Sequence, residues 1–181
     1  MDLLGVEKAD VLGVSQGGMI AQHFAVDYPE RVGKLVLAVT AARPNGQLQE
    51  VVSHWIELAE QSDYRGLMLD SFQKMYTEEY IRKNRWLLTF AGRIGRPDSY
   101  ERFLIMARAC LNHDCYEALG QIRADTLVVG GEKDQVLGGQ ASRDIAGRIG
   151  GSELILYPEY GHALYEQAKD FNGRVLDFLR R

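Results

Sequence analysis

The chain alternates between short, mostly apolar runs and longer stretches in which apolar residues return every three or four positions. Four runs have the length and composition of buried parallel strands: Ala9–Val14 (ADVLGV), Lys34–Thr40 (KLVLAVT), Thr126–Gly130 (TLVVG) and Glu153–Tyr157 (ELILY). Gly18–Tyr28 (GMIAQHFAVDY) reads as a helix that ends before Pro29. After the second run come about eighty residues without a strand signal. There, Leu48, Val51, Val52, Trp55, Ile56 and Ala59 form a helical stripe over Gln47–Gln61. Tyr64–Tyr76, Thr77–Phe90 and Ser99–Leu111 keep the same period, with Pro97 or Asp98 starting the last of them. A short helix over Cys115–Ile122 leads back to the third strand. The pattern predicts one α/β domain over residues 1–181, with about four parallel strands, flanking helices and an all-helical insertion at about 43–113.

Between the first strand and the first helix lies Gly13-Val14-Ser15-Gln16-Gly17-Gly18. Reversing from strand to helix in so few residues forces Ser15 into a sparsely populated backbone conformation. Gly13 and Gly17 lack Cβ atoms, which lets strand and helix approach around the hydroxyl, and Gly18 allows tight packing of the helix start. The helix N-terminus adds partial positive charge, and the Gln16 backbone N–H is placed to donate to a developing oxyanion. A glycine-rich turn that binds phosphate or merely reverses the chain is the plainer alternative.

A serine nucleophile needs a base, and the base needs an orienting acid. Asp134 follows the third strand run in Gly131-Glu132-Lys133-Asp134, and His162 follows the fourth in Pro158-Glu159-Tyr160-Gly161-His162. Both fall past strand carboxyl ends, where open α/β sheets place their chemistry. Glu132 is the rival acid but lies close to the strand end; Asp134 and His162 also have plain readings as a turn aspartate and a solvated loop histidine. His23, His54 and His113 carry no motif, and their spacing suggests no metal cluster.

The order Ser15, Asp134, His162 resembles the α/β-hydrolase superfamily, in particular single-domain members with a helical cap: esterases, enol-lactonases, C–C bond hydrolases and cofactor-free haloperoxidases. The likeness spans essentially the whole chain. Pro29–Asn45 resembles the segment after the elbow helix, Ile122–Asp134 the acid strand and loop, and Tyr160–Leu179 the histidine loop and final helix, with Ala168 where a proline is common. The resemblance implies that Ser15 attacks, His162 moves the proton, Asp134 holds the imidazole and Gln16 N–H supports the oxyanion. It implies a serine hydrolase of a small apolar ester, thioester or lactone, with C–C hydrolysis or peracid formation as variants and no metal or organic cofactor. The insertion then corresponds to the cap. Trp55, Phe72, Trp86, Phe90 and Met106, with Met68, Leu87 and Phe103, either line its pocket or pack its helices together.

A complete member of that superfamily has about eight strands, and the four runs here correspond to its last four. Met1–Lys8 resembles the tail of the helix before the elbow strand. On that reading the fold is a partial α/β-hydrolase fold. The loop that normally supplies a second oxyanion N–H is missing, a loss worth about 10²–10³ in rate. The outer edge of Ala9–Val14 lacks a partner, and only the final helix, about Leu164–Arg180, covers one sheet face. The expectation is an associating chain: a two-fold dimer through the Ala9–Val14 edge, or a complex with a separate N-terminal half. A weakly active or silent module that works through association is the functional alternative.

Composition narrows the rest. A net charge of −4 with no basic stripe argues against a nucleic-acid partner. The apolar runs are too short to span a membrane, and Met1 opens no signal-peptide pattern. Cys110 and Cys115 are five apart in a predicted helical stretch and would face different ways, which fits a reducing compartment, by default the cytoplasm. The expected partner is a small-molecule substrate.

Overall fold

The computed structural model describes residues 1–84, 86 and 96–181. The four apolar runs form one parallel sheet, β1 (Ala9–Val14), β2 (Val32–Ala38), β3 (Asp125–Gly131) and β4 (Glu153–Tyr157), in the order β1-β2-β3-β4. Leu12 pairs with Val36, Val36 with Leu127, and Val129 with Ile155, so the apolar runs lie side by side. β1 and β4 have their predicted bounds. β2 ends earlier than expected, at Ala38, because Val39 turns to a φ of 42° and its N–H reaches Val129 O.

Parallel neighbours require crossovers. Helix α1 (Gln16–Asp27) connects β1 to β2, and α6 (Gly139–Arg148) connects β3 to β4. Both pack on the sheet face that carries Leu35, Leu37 and Val128, through Ala21, Ala25, Ile145 and Ile149. The other face carries Val36, Ala38, Leu127 and Val129. It is covered by α7 (Leu164–Gln167) and α8 (Phe171–Arg180) through Leu164, Phe171, Val175 and Phe178. Alternate residues of one strand thus enter opposite cores, the expected consequence of the two-residue period. Leu12 shares the α8 face with Val14 by parity, yet stays 45% exposed.

Between β2 and β3 rises the helical insertion: α2 (Gly46–Glu60), α3 (Tyr64–Met75), α4 (Glu78–Lys83) and α5 (Glu101–Leu111). Local signals start three of these helices. Asn45, Asp63 and Thr77 each occupy an N-cap and accept from the N–H of Leu48, Gly66 and Tyr80. The α2 stripe of Leu48, Val51 and Val52 packs on Met19 and Ala41 from below and on Ala107 of α5 from the side. The insertion is thereby seated on the carboxyl ends of the strands.

Three expectations need correction. Cys115–Ile122 is no α-helix: the Cys115 N–H is drawn to Ala42 O at 2.8 Å, Asp114 accepts from Tyr116 N, and only Leu119–Gln121 forms a 3-10 turn. Cys115 therefore lies beyond α5 rather than on one helix with Cys110, and both thiols are free. The final helix is two, broken where Ala168 is extended; Tyr157 Oη donates to Asp170 at the break. Met1–Lys8 contains only the 3-10 turn Asp2–Leu4. Helix α6 had no forecast, since its sequence, GQASRDIAGR, offers only Ala141 and Ile145 as buried apolar residues.

Candidate active site

Ser15 stands at the N-cap of α1 with φ 52° and ψ −121°. That left-handed φ is unusual for a residue with a Cβ and is held from both sides. The Ser15 N–H continues the sheet ladder to Ala38 O at 2.9 Å, while its own carbonyl starts the helix by accepting from Gly18 N. A Cβ on Gly13 would meet Gly17 O at 2.5 Å and Gly18 Cα at 2.7 Å, and one on Gly18 would meet Thr40 Cβ at 2.5 Å. Gly17 has open space around it. The close approach is therefore made at Gly13 and Gly18, not at Gly17 as the motif suggests. Gln16 is the first residue of α1, so no carbonyl of that helix accepts its N–H.

Asp134 sits in the loop after β3. Its Oδ1 accepts from Val136 N at 2.8 Å and Leu137 N at 2.9 Å, an arrangement that fixes the carboxylate without using Oδ2. Oδ2 lies 2.8 Å from His162 Nδ1, and His162 Nε2 lies 2.9 Å from Ser15 Oγ. A carboxylate only accepts, so Nδ1 donates to it; in the neutral ring Nε2 then accepts from the serine hydroxyl. Asp134 and His162 are 6% and 3% exposed, and Ser15 is half-buried. Glu132, the rival acid, turns away into an ion pair with Arg143. A second ion pair, Lys133 with Glu159, ties the acid loop to the histidine loop. Ser15, Asp134 and His162, from three loops, are thus brought into one hydrogen-bonded line.

Of the five residues expected to line a pocket, the four described ones do not gather in this way. Trp55 donates its indole N–H to Asp70 at 2.7 Å, between α2 and α3. Phe72 stacks on Tyr76, and Trp86 is 63% exposed. The Met106 side chain is exposed, but its carbonyl accepts from Gln16 Nε2 at 2.8 Å. Phe90 and Leu87, within residues 87–95, lie outside the described residues. Polar ties between the insertion and the site were missed. Asn45 Nδ2 donates to Leu137 O at 2.7 Å, Gln47 Nε2 to Asp134 O at 3.0 Å, and Ala163 N to Met75 O at 2.8 Å. Only the cap position of Asn45 carries a local signal; the others join residues far apart in the chain. Among the described residues no group of three or more His, Cys, Asp or Glu side chains could hold a metal ion. No helix among them is long and apolar enough to cross a membrane.

A sequence profile of the alpha/beta hydrolase fold matches residues 1–169. The chain belongs to the alpha/beta hydrolase fold family. Among its curated relatives is the 2-hydroxy-6-oxo-6-phenylhexa-2,4-dienoate hydrolase of Comamonas testosteroni, 33% identical over 100% of the chain and 66% of that protein. An alpha/beta hydrolase enzyme from a Medee basin deep-sea metagenome library superposes with a TM-score of 0.92 at 24% identity, over 99% of this chain and 68% of that one. A meta-cleavage product hydrolase from Pseudomonas fluorescens does so with a TM-score of 0.69 at 27% identity, over 99% and 67%. The chain spans about two thirds of the length of such relatives.

Proposed function

We propose that this chain carries the catalytic machinery of a serine hydrolase that breaks a carbon–carbon bond beside a ketone in a 2-hydroxy-6-oxo-dienoate. The observation that carries the hydrolase reading is the line Ser15 Oγ, His162 Nε2, His162 Nδ1, Asp134 Oδ2, with hydrogen bonds of 2.9 and 2.8 Å. Ser15 Oγ adds to the carbonyl carbon as its proton passes to His162 Nε2; Asp134 stabilises the imidazolium that forms. The Gln16 N–H supports the oxyanion. His162 returns the proton to the leaving carbon, and water, activated by the same imidazole, releases the acyl group as a carboxylic acid.

The bond type comes from the relatives. The compound in the name of the Comamonas testosteroni protein contains no ester or amide, so its hydrolysis has to break a carbon–carbon bond next to the 6-oxo carbonyl. In the dienol that bond starts at an sp2 carbon whose electron pair would lie across the π system, so the 2-hydroxyl proton first moves to C5. The resulting 2-oxo-3-ene takes up the electron pair as a dienolate when the C5–C6 bond breaks. An ester, thioester or lactone is the second reading, favoured by the same triad and by likeness to an enol-lactonase from Burkholderia xenovorans (TM-score 0.87, 23% identity).

The test starts with a fluorophosphonate probe on the purified chain beside Ser15→Ala and His162→Ala. Labelling lost in both variants is the expected result; a folded wild type that does not label defeats the hydrolase reading. Bleaching of a 2-hydroxy-6-oxo-dienoate, compared with release of p-nitrophenol from a short ester, then separates the two substrate classes.

A further inference from the structure

Each of the three loops that supply the triad is hydrogen-bonded to a different helix of the insertion. At the nucleophile, the side chain of Gln16, next to Ser15, donates to Met106 O in α5 at 2.8 Å. At the acid, Gln47 in the first turn of α2 donates to the carbonyl of Asp134 itself at 3.0 Å, and Asn45, the N-cap of α2, holds Leu137 O at 2.7 Å. Leu137 N is in turn one of the two donors that orient the Asp134 carboxylate. At the base, Ala163, next to His162, donates its N–H to Met75 O at the end of α3 at 2.8 Å. The next residue of the insertion, Tyr76, donates its hydroxyl to Glu166 of α7 at 2.6 Å. The loop comes close here: a Cβ on Gly161 would lie 3.3 Å from Met75 O.

We propose that the helical insertion is the jig of the triad, with Tyr76 and Gln47 as positioning residues that transmit the placement of the insertion helices to His162 and Asp134. This rests on the hydrolase reading of the site. Tyr76 is suited to the role because its ring is fixed. It stacks on Phe72 at 5.0 Å and 22° and on Tyr80 at 4.7 Å and 13°, so a single aromatic column joins α3 and α4 to the histidine loop. Burial, reinforced by the Glu166 carboxylate, raises the Tyr76 phenol above its ordinary range, so it stays a proton donor. Tyr76 and Gln47 touch no reacting atom. They act through a carbonyl and a short helix that hold residues which do.

Tyr76→Phe keeps the aromatic column and deletes only the hydroxyl. Glu153→Gln serves as control, because it breaks the exposed Glu153–Arg181 ion pair at the amino end of β4, the end of the strand opposite the histidine loop. Two readouts are taken: the rate of fluorophosphonate labelling at Ser15, and the downfield proton resonance of His162 Nδ1–H, which reports the His162–Asp134 hydrogen bond without turnover. Tyr76→Phe is expected to slow labelling about 10- to 100-fold, the scale of a misplacement of order 1 Å. It should also move or broaden the Nδ1–H resonance, while Glu153→Gln changes neither. A wild-type resonance and labelling rate in folded Tyr76→Phe overturn the proposal. If the wild type does not label, the hydrolase reading fails and the resonance alone decides the tether. Should Tyr76→Phe lose the wild-type circular dichroism, Gln47→Leu carries the same two readouts from the acid side, and an unchanged resonance there overturns the proposal equally.

Discussion

His113 is a buried imidazole whose Nε2 has no hydrogen-bond partner, with its ring edge against His23 at 5.1 Å between centroids. Burial, and after it the neighbouring His23, hold its pKa below the ordinary 6.5; the Ala41 carbonyl and Asp114 pull the other way. The native state therefore binds fewer protons than the unfolded chain as the pH drops below 6.5. The stabilisation is fully present above that value and is lost as the pH falls through the lower native pKa. Carboxylates held low by ion pairs, such as Asp2 and Asp170, titrate further down and leave this window to histidine. The urea midpoint should fall between pH 7 and pH 5, and His113→Phe should flatten that fall; an unchanged slope in the variant would remove His113 as its cause. At this scale the sequence was legible only where residue types form a motif. The convergence of Ser15, Asp134 and His162 could be read from their order and from the strand ends before them. His113, Gln47 and Tyr76 could not, because their surroundings are made by residues distant in the chain.

Elements were legible where apolar period and length agreed, as in β1, β4 and the α2 stripe. They were obscure where few residues carry the burial, as in α6, or where long-range hydrogen bonds outcompete a local helix, as at Cys115. The packing of α1 on β1 was read correctly in kind but assigned to one wrong glycine, and the two glycines make opposite predictions. The three atoms a Cβ on Gly13 would meet, Gly17 O, Gly18 Cα and Ala21 Cβ, are backbone or the first side-chain atom, so none can swing aside. Gly13→Ala must therefore separate strand from helix, at a cost of about 1–3 kcal/mol or more. Gly17→Ala enters open space in the first turn of a helix and should leave stability within about 0.5 kcal/mol or raise it. Urea melts of the two variants check this; equal losses would mean that the motif glycines act together rather than through Gly13.

At the scale of the whole molecule the governing fact is the strand order. β1 carries the nucleophile at its carboxyl end, yet it lies at the edge of the sheet and, among the described residues, pairs only with β2. Its outer N–H and C=O groups face outward, and beside them on the α8 face Leu12 is 45% exposed. An apolar edge of this kind is a template for another strand. A second copy of the chain can supply one by antiparallel pairing about a two-fold axis, which closes the assembly without exposing a new edge. The chain as it stands should thus scatter light as a species heavier than its 20.4 kDa. Leu12→Lys places a charge on the surface beside the edge without touching the triad, and it should shift the population towards the monomer. A monodisperse wild-type monomer would end this reading. A dimer that persists unchanged in Leu12→Lys would move the interface elsewhere. Because Ser15 follows β1 directly, a strand docked on that edge would brace the elbow from its open side, so fluorophosphonate labelling per chain should rise with protein concentration in the wild type and lose that dependence in the variant.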